Sequence, residues 1–170
     1  MDDRTKKILI SAAVGAGLGL AFGKPAYAAI KKKITSMDAP PLGQDGMKAL
    51  QTKLNWFCDM IAGIPGVGES KSGLTRVRTK SSGGYDGQWG PNTMAATHSF
   101  HDLLVKAAEN VDASNLNNYT FMKYMAGACG GLSELADQDK AAVALSKYDG
   151  RMSNYDLRAF GKALGVNVDI

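Results

Sequence analysis

Residues 8–30 read ILISAAVGAGLGLAFGKPAYAAI, with Arg4, Lys6 and Lys7 just before them and Lys31, Lys32 and Lys33 just after. Such a run cannot stay exposed to water. As a helix rising about 1.5 Å per residue it spans roughly 34 Å, enough to cross a bilayer core. Lys24 can snorkel to the headgroups, and Pro25 can kink the last turns. Gly15, Gly19 and Gly23 fall four apart on one stripe, where missing side chains let a second helix approach closely. The run is therefore read as a retained membrane anchor, residues 1–34, with the lipid bilayer as the partner of residues 8–30. Two other readings stay open. One is a cleaved secretory signal, with Ile8 to Phe22 as its apolar region and Ala26-Tyr27-Ala28 as its cleavage site. The other is a Gly/Ala-rich helix docked on a protein, although glycine is poor helix material in water. The basic residues nearly balance on the two sides, so they do not fix an orientation.

The formal net charge of +4 belongs to this leader. Residues 1–37 hold seven Lys/Arg against two Asp, while residues 38–170 hold thirteen against fourteen acids. A polyphosphate partner needs a basic face on the folded domain, so nucleic acid is set aside. Two cysteines exclude a disulfide-stapled scaffold.

After the lysines, residues 35–46 carry the Pro, Gly and Asp content of a linker. Met47, Leu50, Leu54, Phe57, Cys58 and Ile61 then recur at helical spacing, and Gly63, Pro65, Gly66 and Gly68 end that helix. Residues 63–84 form a Gly/Ser-rich connection in which only Leu74 to Thr79 shows any strand-like alternation. Pro91 suits the first position of a second helix, with Ala96, Phe100, Leu103, Leu104 and Ala107 facing inward. A third helix is predicted over 116–129, with Phe121, Tyr124, Met125 and Ala128 inward and Gly130-Gly131 as its stop. A fourth is predicted over 132–147. Ser153 and Asp156 form a capping box for a last helix that buries Leu157, Phe160 and Leu164. The fold class is mainly α, a small helical bundle behind an N-terminal transmembrane helix.

One stretch carries a more specific signal. Leu50-Gln51 and Leu54 are followed by Asp86-Gly87-Gln88-Trp89-Gly90-Pro91-Asn92-Thr93, then Ala96 and Phe100. This resembles the peptidoglycan-binding domain family, a three-helix module with LQxxL in its first helix and a DGxFGPxT loop leading into TxxAVxxFQ. The resemblance covers residues 47–105. Trp89 stands where the family has Phe, Thr97 and His101 replace its Val and Gln, and the 63–84 connection is longer than usual. The resemblance implies a module that binds muropeptide, with Tyr85, Asp86, Gln88, Trp89, Asn92 and Thr93 as its contact residues. For Asp86, Gly87, Trp89 and Pro91 a purely architectural reading is preferred, which leaves Tyr85, Gln88, Asn92 and Thr93 as the better candidates for ligand contact. Asp86 accepts from the N–H groups of its own turn, Gly87 supplies positive φ, and Trp89 pins the loop to the helices. Residues 106–170 are read as further helices packed on this domain.

Tyr148-Asp149-Gly150-Arg151-Met152 echoes Tyr85-Asp86-Gly87-Gln88-Trp89. It also matches the later half of a calcium loop, but Leu145 and Lys147 occupy the first and third ligand positions and offer no side-chain oxygen. His98, His101 and Asp102 suggest zinc, yet the chain has no third histidine, so a surface or groove-lining pair is expected, with no metal and no cofactor. No nucleophile elbow, phosphate loop or Cys-His signature is present, and no catalysis is expected. Cys58 and Cys129 fall on apolar helix faces as buried free thiols, or as one bridge in an oxidising compartment. Lys71, Arg76, Arg78 and Lys80 give the 63–84 connection a basic character. It is expected as a solvated loop, with contact to anionic wall polymers or lipid headgroups as the functional alternative.

Together these features describe a single-pass membrane protein with its helical domain on the cell-wall side, binding peptidoglycan without cleaving it. Its partners would be further copies of itself or other envelope proteins. A component of a membrane-containing phage virion fits the same description, its glycine stripe packing copies together. A structural or assembly protein using this fold only as scaffold is the rival reading. An accessory domain of a lytic enzyme is a third.

Overall fold

The computed structural model describes residues 38–170, so the anchor expectation, with Gly15, Gly19 and Gly23, lies outside the described residues. Residues from Ala39 onward form one compact unit. It is a helical bundle, and among the described residues there is no strand. Nor is any described helix long and apolar enough to cross a membrane.

Helix α1 spans Gln44–Ala62. It opens three residues earlier than the apolar spacing suggests, because Gly43 serves as N-cap and Asp45 places an acid in the first turn, where the helix dipole favours it. Its buried face carries all six positions expected, and Gly63 caps its end. A single turn, α2 (Gly68–Lys71), lies inside the 63–84 connection. Helix α3 spans Pro91–Glu109 with Pro91 at its start, and it buries the five apolar positions named above.

The remaining helices are shorter than expected. In place of one helix over 116–129 there is a 3-10 turn, Ala113–Asn118, and then α4, Thr120–Cys129. Asp112 opens the 3-10 turn by accepting from the Ser114 N–H. The α4 face is rotated from the expected one. Met122 and Ala126 are buried beside Phe121 and Met125, whereas Tyr124 and Ala128 are exposed. The rotation buries methionine, which packs without a polar group to satisfy, and leaves Tyr124 exposed. The expected 132–147 helix is also divided, into a 3-10 turn (Leu132–Ala136) and α5 (Gln138–Lys147). Asp137 causes the break, its carboxylate accepting from the Asp139 and Lys140 N–H groups as a cap.

Helix α6, Asn154–Ala163, opens with the expected Ser153–Asp156 capping box. Phe160 is buried, but Leu157 and Leu164 are only half-buried, and the fully enclosed position of the first turn is Asp156 itself. Beyond α6 the chain folds back. The Val166 N–H donates to the Gly161 carbonyl at 2.8 Å, and Val168 lies where a side chain at 161 would stand.

Four of the five phenylalanines meet in one cluster. Phe57 of α1 takes Phe100 of α3 edge-on at 4.9 Å and Phe160 of α6 edge-on at 5.1 Å, with Phe121 of α4 at 5.5 Å. Edge-to-face pairs add about 0.5–1.5 kcal/mol each beyond their buried area. Helices α1, α3, α4 and α6 contribute one ring each, so this cluster ties α1 to α3 and thereby frames the turn between them.

Candidate functional site

The turn before α3 is docked on α1 by one buried side chain. Gln51 is 1% exposed, although it occupies a position of the apolar stripe. Its Nε2 donates to Asp86 Oδ1 at 2.8 Å and to Thr93 Oγ1 at 2.9 Å, with the Gln88 carbonyl at 3.3 Å. Its Oε1 accepts from the Gly87 N–H at 2.9 Å. Asp86 also accepts from the Gln88 N–H at 3.0 Å, closing the turn, and Thr93 Oγ1 donates to the Gln88 carbonyl at 3.1 Å. The bond from Gln51, then that from the Gln88 N–H, holds the Asp86 carboxyl below its ordinary range. Gly87 has φ +68°, and a Cβ there would stand 2.8 Å from Gln44 Cγ and 2.9 Å from its carbonyl oxygen. Glycine is required by both conformation and space.

The long connection is not a solvated loop. Residues 73–80 form neither helix nor strand but are held against the bundle, with Val77 buried. Asn55 of α1 pairs with the Val77 backbone as a strand neighbour would, accepting from its N–H at 2.8 Å and donating to its carbonyl at 2.9 Å. Asn92 of α3 accepts from the Arg78 N–H at 2.5 Å and donates to the Arg76 carbonyl at 3.3 Å, while Ser99 Oγ accepts from the Thr75 N–H at 3.0 Å. Arg76 bridges Asp59 at 2.5 Å and also pairs with Glu69. Lys71 donates to the Gly66 carbonyl at 3.3 Å, and Lys71, Arg78 and Lys80 are exposed, with the Lys80 charge acting on Asp86.

The six residues expected to contact a ligand are thus gathered around one turn, in two groups. Asp86, Asn92 and Thr93 direct polar atoms into the fold. Gln88 is exposed, and Tyr85 and Trp89 are half-buried with rings packed against the core edge. Gln51 belongs to the Leu50-Gln51 element of the resemblance but carries no ligand role there, and its role is to organise the turn; Asn55, an amide on the same helix, is not singled out by the sequence.

The Tyr148 turn resembles the Tyr85 turn in letters only. Asp149 is exposed, and the Tyr148 hydroxyl donates to the Arg151 carbonyl at 2.9 Å while its ring lies over Gly150. The carboxylate that matters there is Asp156, which is fully buried and reaches across to α4. It accepts from the N–H groups of Phe121 at 2.9 Å, Met122 at 3.1 Å and Ser153 at 2.7 Å.

The histidine pair is not a surface feature. His101 is 8% exposed, with its Nδ1 3.7 Å from Asp102 Oδ1, an ion-pair distance longer than a hydrogen bond. His98 Nδ1 lies 3.1 Å from Asp102 Oδ2, and that bond raises the His98 pKa. Burial works to raise Asp102, but the two imidazoles hold it at about 2. Among the described residues no three ligating side chains converge to hold a metal. Cys58 and Cys129 are buried free thiols, and burial pushes Cys58 up to about 11. No family model, no curated protein and no solved structure matches the chain.

Proposed function

We propose that this chain is a non-catalytic, membrane-tethered protein whose helical domain binds peptidoglycan through the tryptophan-bearing turn. The supporting observation is the Gln51 clamp. It holds Asp86-Gly87-Gln88 on the first helix and leaves Gln88 exposed beside the half-buried Tyr85 and Trp89. A preset turn with an amide next to two aromatic rings suits a sugar and stem-peptide ligand, because little ordering remains to be done on binding. The tether is the apolar run of residues 8–30. Sedimentation of the full chain with purified, protein-free peptidoglycan tests the reading. Retention at moderate salt that falls with Gln88→Ala is expected, and recovery of the wild type in the supernatant overturns it.

A second reading has its own support. Asp86, Asn92 and Thr93 spend polar atoms on the fold, as they would in a scaffold for an envelope or virion assembly. Chemical crosslinking in native membranes that joins the chain to itself or to other proteins, together with no wall retention, is the outcome this reading expects.

A further inference from the structure

Three cations root at the tryptophan-bearing turn, each set there by a contact of its own. On α1, Lys48 precedes Gln51 by three residues, and its Cγ lies 3.1 Å from where a Cβ at Gly87 would stand, so its stem runs against the turn. Arg78 and Lys80 arrive from the 63–84 connection. The Arg78 N–H donates to Asn92 Oδ1 at 2.5 Å, two residues beyond Gly90. The Lys80 N–H donates to the Gly84 carbonyl at 3.0 Å, and the Gly83 N–H returns a bond to the Lys80 carbonyl at 2.9 Å. That tight reversal sets Lys80 beside Gly84, the neighbour of Tyr85. The Lys80 charge reaches Asp86, where it adds to the bonds from Gln51 and the Gln88 N–H in keeping the carboxyl low. Lys48, Arg78 and Lys80 are exposed, as is Gln88.

Little negative charge offsets them. Residues 70–101 hold four Lys/Arg and one acid, Asp86, whose Oδ1 takes both the Gln51 amide and the Gln88 N–H. Arg76 is the one of those four spent on acids, Asp59 and Glu69. Asp45, exposed in the first turn of α1, is the opposing charge on that side. Among the described residues no salt bridge engages Lys48, Arg78 or Lys80. The excess is also local. Residues 38–170 hold thirteen Lys/Arg against fourteen acids, so the domain has no net positive charge to draw a polyphosphate or an anionic bilayer. Separate cations around an exposed amide instead complement small anionic groups carried on a peptide.

We propose that Lys48, Arg78 and Lys80 rim the turn as a carboxylate-recognition site, so that the part of the wall polymer it takes is the free carboxylates of the peptide stem, with the Gln88 amide between them and the rings. The proposal rests on the wall-polymer reading above and names which chemical group of that polymer the turn reads. It also gives the 63–84 connection a role: its bonds to Asn92 and within the Lys80–Gly84 reversal carry two of the three cations to the turn.

The test uses the full chain on purified peptidoglycan freed of protein and anionic polymers, with soluble disaccharide-peptides released from it as competitors. Arg78 and Lys80 dock through backbone groups, so glutamine at either position leaves those bonds in place, and melts should confirm an unchanged fold. Lys80→Gln should weaken retention about two- to fivefold, and the triple variant Lys48→Gln, Arg78→Gln, Lys80→Gln by about tenfold or more. Lys71→Gln, in the same connection but with its ammonium on the Gly66 carbonyl, should match wild type. Disaccharide-peptides with free carboxyls should release the bound chain, and the same fragments with their carboxyls converted to amides should need about tenfold more. Normal retention by the triple variant, equal competition by the amidated fragments, or a Lys71→Gln loss as large as that of Lys80→Gln overturns the carboxylate site and leaves wall binding intact. Release by inorganic phosphate at the same concentration overturns the choice of carboxylate. Failure of the wild type to bind peptidoglycan removes the wall-polymer reading and this site with it, and retention on single-stranded oligonucleotides or anionic vesicles in its place overturns both.

Discussion

Replacing Gln51 with leucine removes the one side chain that joins the turn to α1. Leucine has similar volume and suits the stripe, so packing is largely preserved and the cost is polar. The two protons on Nε2 are spent at 2.8 and 2.9 Å, and Oε1 takes the Gly87 N–H at 2.9 Å, so three sound bonds are lost. At about 1 kcal/mol net apiece, with an added cost of ~1 kcal/mol for an N–H left half-buried at Gly87, the loss is about 2–4 kcal/mol. For a unit of this size that lowers the unfolding temperature by roughly 8–15 °C. Circular dichroism melts check it, and amide exchange at Gly87 should accelerate before global unfolding does. Gln51→Glu adds a sign. Its carboxylate would face Asp86 across the 2.8 Å gap, so the folded-state pKa of the pair is raised and the variant should regain stability as pH falls toward 4. A Gln51→Leu chain within about 0.5 kcal/mol of wild type, with normal exchange at Gly87, would refute the claim that this clamp holds the turn.

Asp156→Ala strips three N–H groups of α4 and α6 of their acceptor and should cost about 3–5 kcal/mol by denaturant titration, more than any exposed carboxylate variant. The bond to Asp102 raises the His98 pKa, so its stabilisation is complete below the unfolded histidine value and fades as pH rises through the folded one. Melts of wild type and Asp102→Asn should therefore differ more at pH ~5.5 than at pH ~8, and a constant gap would argue against the pair. The Cys58 thiol, pushed up to about 11 by burial, should resist alkylation at pH ~8 until the domain unfolds; fast labelling of the native chain contradicts its burial.

Much of the bundle was readable from spacing. The stripe of α1, the proline start of α3, the glycine stop of α4 and the Ser153–Asp156 cap all stand where the letters place them. What escaped was set by contacts distant in sequence. Asp156 looks like a local cap, yet it also serves the N-terminus of α4, which begins at Thr120. Asp137 divides what reads as one continuous helix, because a cap competes with helix continuation and only the surrounding packing decides between them. The α4 face was misjudged by one position, since Tyr124 and Met122 both look apolar in a periodicity count but differ in what burial would demand of them. For the site, the Asp86-Gly87 turn and the Leu50-Gln51 element are both legible, whereas the bonds that join them depend on the packing of α1 against the turn, which spacing does not show.

Residues 73–80 are tied to the bundle by three polar side chains, those of Asn55, Asn92 and Ser99. Trimming the stretch would strand each of those groups without its mate while also emptying the seat of Val77, so excision is penalised on two counts at once. Shortened chains are accordingly expected to survive only if the two asparagines are exchanged for apolar residues in the same step.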